Sequence, residues 1–266
     1  MHQPEYSICI TNYNTVRTLV DSMGSLLRQL NDTFEVIVSD NMSTDGSQNI
    51  LKKYERNRQI RLISRKSSRG IGRQIALQNA RGRYIISGLD MDDTFRPVLK
   101  ELIRFYHERA EGNVLSGAGE ATLLAPRDTL LRLGGWNNLQ FRENWELCRR
   151  AAMQDLYRWT IFPVVRTRNE HHERQHRLNS LVYRYIRYRE NIRVGHKIFD
   201  QHERVGISQK IVYYTAKLSS FFSERYTTSF RFSSIDKKYF IDSREYWPKI
   251  LDHSQGEYLY RMLLKG

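Results

Sequence analysis

Gly88-Leu89-Asp90-Met91-Asp92-Asp93 places three carboxylates within four residues, directly after Tyr84-Ile85-Ile86-Ser87, an apolar run that reads as a buried strand. Carboxylates this close repel one another unless a cation or an arginine neutralises them. Their hard oxygen donors suit Mg²⁺ or Mn²⁺, and such an ion can bridge the phosphate oxygens of a substrate. The competing account has Asp92 or Asp93 capping a helix that begins near Thr94-Phe95-Arg96-Pro97, which uses one carboxylate and leaves the others unexplained. A second cluster, His171, His172 and His176, approximates a zinc spacing. It lacks the glutamate between two histidines four apart that serves a zinc hydrolase. Cys9 and Cys148 are the only cysteines, too few for a disulfide scaffold or a Cys-rich zinc module and suited to a reducing compartment.

Charge marks where anions would be handled. The 266-residue chain carries 43 Lys plus Arg against 29 Asp plus Glu, a net charge of +14. Residues 56–83 hold 9 basic and no acidic side chains, residues 84–175 balance at 13 against 13, and residues 176–266 hold 17 against 9. Two basic blocks therefore flank a neutral middle. Such blocks attract nucleic acid, anionic lipid or the phosphates of a substrate.

The elements that must position these residues can be read from periodicity. Strands are expected at 6–10, 34–38, 59–63 and 83–87, separated by helical patterns at 16–30, 44–54 and 71–80. Strands alternating with helices imply right-handed βαβ units and a mostly parallel, doubly wound α/β sheet. Ligands of such sheets bind beyond the carboxyl ends of the strands, here 11–14, 40–45, 65–73 and 88–93. After residue 176 the texture changes: 10 of the 16 tyrosines and 6 of the 11 phenylalanines lie there, interleaved with Arg and Lys. Helices are expected near 178–200, 206–223 and 244–264, and a boundary near 175 divides the chain into 1–175 and 176–266.

In order and spacing, residues 5–93 resemble family 2 glycosyltransferases of the GT-A fold. Tyr6 through Asn14 is similar to the family's opening strand and its Thr/Tyr-Asn loop, and Val36 through Ser47 to its acidic nucleotide-recognition segment. Arg69-Gly70-Ile71-Gly72-Arg73-Gln74 through Ile86 is similar to the helix leading into the fourth strand, and Leu89-Asp90-Met91-Asp92-Asp93 to the D-x-D motif. The resemblance implies a Rossmann-like α/β/α sandwich with a donor half at 1–93 and an acceptor half at 94–175. It implies that Thr11 and Tyr13 line the base of a UDP- or GDP-linked sugar, that Asp40 bonds base or ribose beside Asn41, and that Arg73 lies near the nucleotide. Asp90 would contact ribose or metal, and Asp92 would be the principal ligand of Mg²⁺ or Mn²⁺. The metal neutralises the leaving diphosphate. Leu133-Gly134-Gly135-Trp136 matches the family's Gly-Gly-aromatic turn, and Glu143-Asn144-Trp145-Glu146 stands where an acidic pair is expected. Inverting members use the second acid as general base. An amide cannot take that proton, so at the catalytic pair Glu143-Asn144 the base is expected to be Glu143, with an acceptor phosphate, already ionised, as the alternative; Glu146 is expected to face solvent. His171 or His172 is a further metal or diphosphate ligand by the same resemblance, with a charged surface loop as the alternative.

The expected activity is metal-dependent, inverting transfer to a glycan, a lipid-linked sugar or a polyprenyl phosphate. The basic, aromatic region 176–266 suits helices at a membrane surface. Its alternative is a helical subdomain packing its aromatics on the catalytic domain or at a homodimer interface. No apolar run approaches the roughly 18–20 residues of a membrane span, and the first residues lack a secretory pattern. The expected location is cytoplasmic, with the inner membrane face as a peripheral site. Two other classes compete. A nucleic-acid-binding protein would use the basic blocks, although no nucleic-acid motif is present and the Asp90–Asp93 cluster would repel a backbone. A nucleotidyltransferase would need a Gly-rich, Lys-bearing loop where Thr11-Asn12-Tyr13-Asn14 stands.

Overall fold

The computed structural model describes residues 3–117, 122–168, 180–196 and 207–247. Its centre is a sheet of seven strands: β1 (Tyr6–Asn12), β2 (Phe34–Asp40), β3 (Arg61–Ser64), β4 (Tyr84–Ser87), β6 (Val114–Gly117), β7 (Leu123–Pro126) and β8 (Tyr157–Thr160), in the order β3-β2-β1-β4-β7-β6-β8. β1 pairs in parallel with both β2 and β4, with Ile8 opposite Val36 on one side and Ile86 on the other. Ile8, Ile10, Ile37, Val38, Ile85 and Ile86 are buried, because helices cover both faces of the sheet and a doubly covered strand reads as a continuous apolar run. The one reversed strand is β7, antiparallel to β4 and to β6. The α/β class, the mostly parallel sheet and all four expected strands are present.

The helices that line the first half are α1 (Leu19–Leu27), α2 (Ser47–Arg56) and α3 (Arg69–Asn79). α4 (Leu99–Arg109), α5 (Arg127–Arg132) and α6 (Glu143–Met153) follow. A second, two-stranded sheet joins β5 (Asp93–Phe95) to β9 (Val165–Arg168) in antiparallel sense. That pairing overturns the capping account of Asp92 and Asp93. Residues 93–95 are strand, and α4 starts six residues after Asp93, behind Val98 and with no side-chain cap.

α7 (Leu181–Val194) and α8 (Ile207–Ser220) occupy the expected helical stretches. The third expected helix is a 3-10 turn at Arg244–Tyr246 followed by a bend at Trp247, and residues 248–264 of its span lie outside the described residues. Residues 226–247 run back over the outer strand of the sheet. Phe240 forms a parallel bridge with Trp159, Ile241 N donates to Trp159 O at 2.9 Å, and Trp247 Nε1 donates to Ile161 O at 3.2 Å. The edge strand β8 is thereby covered rather than left open to pairing with another chain. Tyr239, Tyr246 and Trp247 are buried in the same core as the sheet.

Candidate functional site

At β1 the strand order turns outward in both directions, since its neighbours β2 and β4 begin opposite halves of the sheet. A crevice opens at the carboxyl ends of strands at such a switch point. Here it is a cleft of about 610 Å³, a size typical of small-ligand and cofactor sites. Thr11, Tyr13 and Asn41 line its nucleotide-facing side by expectation, and all three do line the cleft. Tyr13 is 48% exposed, so its ring is available to a ligand. Asp90 and Asp92 line the same cleft, projecting from the loop after β4. That loop is tied down where Ser22 Oγ donates to Met91 O at 2.8 Å. Asp93, the third carboxylate, is buried in β5 and away from the cleft.

The remaining expected residues lie behind the cleft wall. Asp40 is fully buried, and its carboxylate accepts four hydrogen bonds: from Asn12 Nδ2 at 2.8 Å, Ser43 Oγ at 2.6 Å, Ser43 N at 2.9 Å and Gln48 Nε2 at 2.9 Å. It shapes the loop after β2, and its neighbour Asn41 faces the cleft while Asn41 Oδ1 accepts from Ser67 N at 2.7 Å. Arg73, expected near a nucleotide, is 2% exposed. Its guanidinium pairs with Glu143 at 3.4 Å and donates to Asn144 Oδ1, which also accepts from Trp136 Nε1 at 2.8 Å. Glu143 is likewise buried, with its carboxylate on Arg73. Glu146 does not face solvent. It is buried among Arg150, at 2.8 Å, Asn137 Nδ2, at 2.9 Å, and Arg149, at 3.9 Å. His171, His172 and His176 lie outside the described residues.

Several cleft residues escaped the sequence reading. Arg69 lines the cleft at the start of α3. The first amides of that helix are already engaged: Arg69 N with Gln140 Oε1 at 3.2 Å, Gly70 N with Leu139 O at 2.8 Å and Ile71 N with Ser68 Oγ at 3.2 Å. The cation offered to a ligand there is therefore the Arg69 side chain, reinforced by the positive end of the helix. Burial opposes its charge, but the Glu143, Asp90 and Asp92 carboxylates and the Tyr183 phenol outweigh that and raise its pKa. Gly70 and Gly72 let α3 come this close. A Cβ at Gly70 would collide with the Asn137 carbonyl, and one at Gly72 would press on Thr11 Cγ2 at 3.0 Å. Phe141, Tyr183 and Ile186 form the opposite rim, with the Phe141 and Tyr183 rings edge-to-face at 4.9 Å. Tyr183 and Ile186 belong to α7, so the region after 176 contributes directly to the cleft. The basic composition of 65–73 and its position beyond a strand's carboxyl end pointed to this segment, but neither signal separated Arg69 from its neighbours.

α7 is held in place by guanidinium groups. Arg149 donates to Val194 O and Tyr226 O, Arg193 to Glu224 O at 2.8 Å and Asn138 O at 3.1 Å, and Arg142 to Asn191 Oδ1 at 3.2 Å. Among the described residues no group of three His, Cys, Asp or Glu side chains converges as a metal cage. Two carboxylates opening into a cleft fit a divalent ion that completes its shell with substrate oxygens and water, the usual arrangement for Mg²⁺.

Comparison with known proteins agrees with this fold. The family described as Glycosyl transferase family 2 matches residues 7–203. The succinoglycan biosynthesis protein ExoO of Rhizobium meliloti is 36% identical over 110 residues, 41% of this chain and 30% of that protein. The chain spans less than half the length of the first curated relatives it matches. Staphylococcus aureus TarS, solved with UDP-GlcNAc, shares the fold with a TM-score of 0.55 and 16% identity, over 83% of this chain and 73% of that one. The mannosyltransferase PcManGT of Pyrobaculum calidifontis, solved with GDP-Man and Mn²⁺, gives a TM-score of 0.56 and 16% identity over 84% and 71% of the two chains.

Proposed function

The chain belongs to glycosyl transferase family 2, and from that premise we propose that it moves a sugar from a nucleoside-diphosphate sugar to an acceptor nucleophile. The observation that carries the proposal is one cleft lined by Asp90, Asp92 and Arg69 on one side and by Thr11, Tyr13 and Asn41 on the other. In this reading Thr11 and Tyr13 hold the base, and Asn41 contacts base or ribose. Asp40 acts through Asn12 and Ser43, keeping that loop in shape. Asp90 and Asp92 hold Mg²⁺ or Mn²⁺, with His171 a candidate further ligand. When bound, the ion screens the negative charge that grows on the departing diphosphate. Arg69 lies beside the same position and stabilises that charge without a proton transfer.

The acceptor enters over Phe141, Tyr183 and Ile186, and inversion at the anomeric carbon is part of the proposal. Burial of Glu143 against Arg73 supports an acceptor that needs no base, such as a lipid-linked phosphate, over a glycan hydroxyl. A lipid-linked acceptor would bring the enzyme to the cytoplasmic face of a membrane. The division into a catalytic domain at 1–175, with its donor half at 1–93 and acceptor half at 94–175, and a helical region at 176–266 belongs to the same reading.

The test is a thermal-shift panel of UDP, GDP and their sugars with and without Mn²⁺. Stabilisation by a nucleoside diphosphate is expected to require the metal and to vanish in Asp92→Ala. An Asp92→Ala protein that keeps the full metal-dependent response would overturn the site. Full transferase activity in Glu143→Gln would confirm that no base acts there.

A further inference from the structure

The outer side of α8 is apolar where a surface helix normally carries charge. Ile211, Tyr214 and Leu218 are spaced by three and four residues and so share one side of the helix. Phe221 N donates to Leu218 O at 3.2 Å and Phe222 N to Ser219 O at 3.3 Å, which continues the spiral and adds two aromatic rings to that side. Ile211, Tyr214, Leu218 and Phe221 are 62–65% exposed, and Phe222 is 89% exposed. The helix does not need this side for its own packing. Ala216 and Ser220 are buried on its other side, and Tyr185 and Arg189 of α7 bond Ser219 Oγ and Ser223 Oγ at 2.8 Å. A contiguous exposed apolar patch of this kind marks an interaction surface.

The charges around the patch identify what it meets. Lys210, Lys217 and Arg225 are exposed along it, and the Arg225 guanidinium stacks over the Phe221 ring at 4.7 Å. The acid nearby is Glu224, whose carboxylate accepts from the Tyr226 hydroxyl at 2.7 Å. We propose that this face seats on an anionic lipid bilayer. The apolar and aromatic side chains enter the headgroup boundary while the cations meet lipid phosphates. A second copy of the chain fits less well. A two-fold interface sets the same patch against itself, which would bring lysines toward lysines. Free phosphate has no use for five apolar side chains. The seat also has a consequence for the cleft: α8 packs on α7, which supplies Tyr183 and Ile186, so a lipid-borne acceptor would reach the reaction site from the bound surface. Only that consequence rests on the proposed transferase reading; the membrane seat stands without it.

Co-sedimentation of the full chain with vesicles of phosphatidylglycerol and phosphatidylcholine, and with vesicles of phosphatidylcholine alone, tests the seat. Binding is expected to the anionic vesicles and to fall at raised salt. Leu218→Glu with Phe222→Glu, and separately Lys210→Glu with Lys217→Glu, should each weaken it by about tenfold or more. Both variants should keep the wild-type urea midpoint and response to nucleoside diphosphates. Wild-type protein that ignores anionic vesicles, or variants that bind as well as wild type, would overturn the proposal. So would a dimer in light scattering that Leu218→Glu with Phe222→Glu dissociates.

Discussion

Arg69 and Arg73 sit one turn apart on α3 and do different work. Arg69 lines the cleft beside the carboxylates, whereas Arg73 is buried on Glu143 and Asn144. Arg61 and Arg81 are engaged elsewhere, both with Glu35. Of the nine cations between 56 and 83, Arg69 alone lines the cleft. Asp40 makes the same point for acids. Replacing it with Ala strands donors on Asn12, Ser43 and Gln48, and buried donors without partners are costly. We expect Asp40→Ala to lose about 2–4 kcal/mol of stability, read as a lower urea midpoint. A residue that only touched ligand would leave the midpoint unchanged and weaken nucleotide binding alone.

Elements in the first half are joined by side chains as well as by the ladder. Glu35 on β2 accepts from Ser7 Oγ on β1 at 2.6 Å and from Arg81 N at 2.6 Å just before β4. Burial by itself would raise the Glu35 carboxyl, but these bonds and the Arg81 charge bring it below its ordinary value. A carboxyl depressed in the folded state adds stability above its unfolded pKa, about 4.3, and loses it as pH falls through the folded value. Glu35→Gln should therefore be less stable than wild type at pH 7 and lose less further stability on acidification below pH ~4. Urea midpoints measured across that interval decide it; parallel losses in the two proteins would refute the linkage. The four strands β1 to β4 were legible because each is a short apolar run between turn residues. β5 was not, because Asp93-Thr94-Phe95 carries no strand pattern of its own and is a strand only through its pairing with β9.

At the scale of the molecule, the stretch after 176 serves two ends. Residues 230–247 close the outer edge of the sheet, and α7 completes the cleft rim. If the returning segment is integral to the fold, Trp247→Ala should cost about 3–5 kcal/mol, seen as a shift of one cooperative unfolding transition. A small separate transition with the main midpoint unmoved would show that the segment melts alone. Among the described residues no helix is long and apolar enough to cross a membrane, and Arg193, the one anchoring arginine that α7 itself carries, is spent on Glu190, Glu224 O and Asn138 O rather than left to the surface charge of 176–266.

The sequence by itself determined the α/β class, the positions of the first four strands along the chain and the place of the Asp90–Asp92 pair after the fourth. Those features depend on periodicity and on a strand's end, both of which are local. It could not assign Arg73, Glu143 and Asp40 to the interior or Arg69 to the cleft. A side chain's facing depends on which distant element packs against it: Asn137 to Gln140 against the start of α3, Gln48 and Ser43 around Asp40, α7 across the opening. Spacing along the chain names the element that carries a charge, and only the packing of elements far apart in sequence decides whether that charge meets a ligand, a partner or solvent.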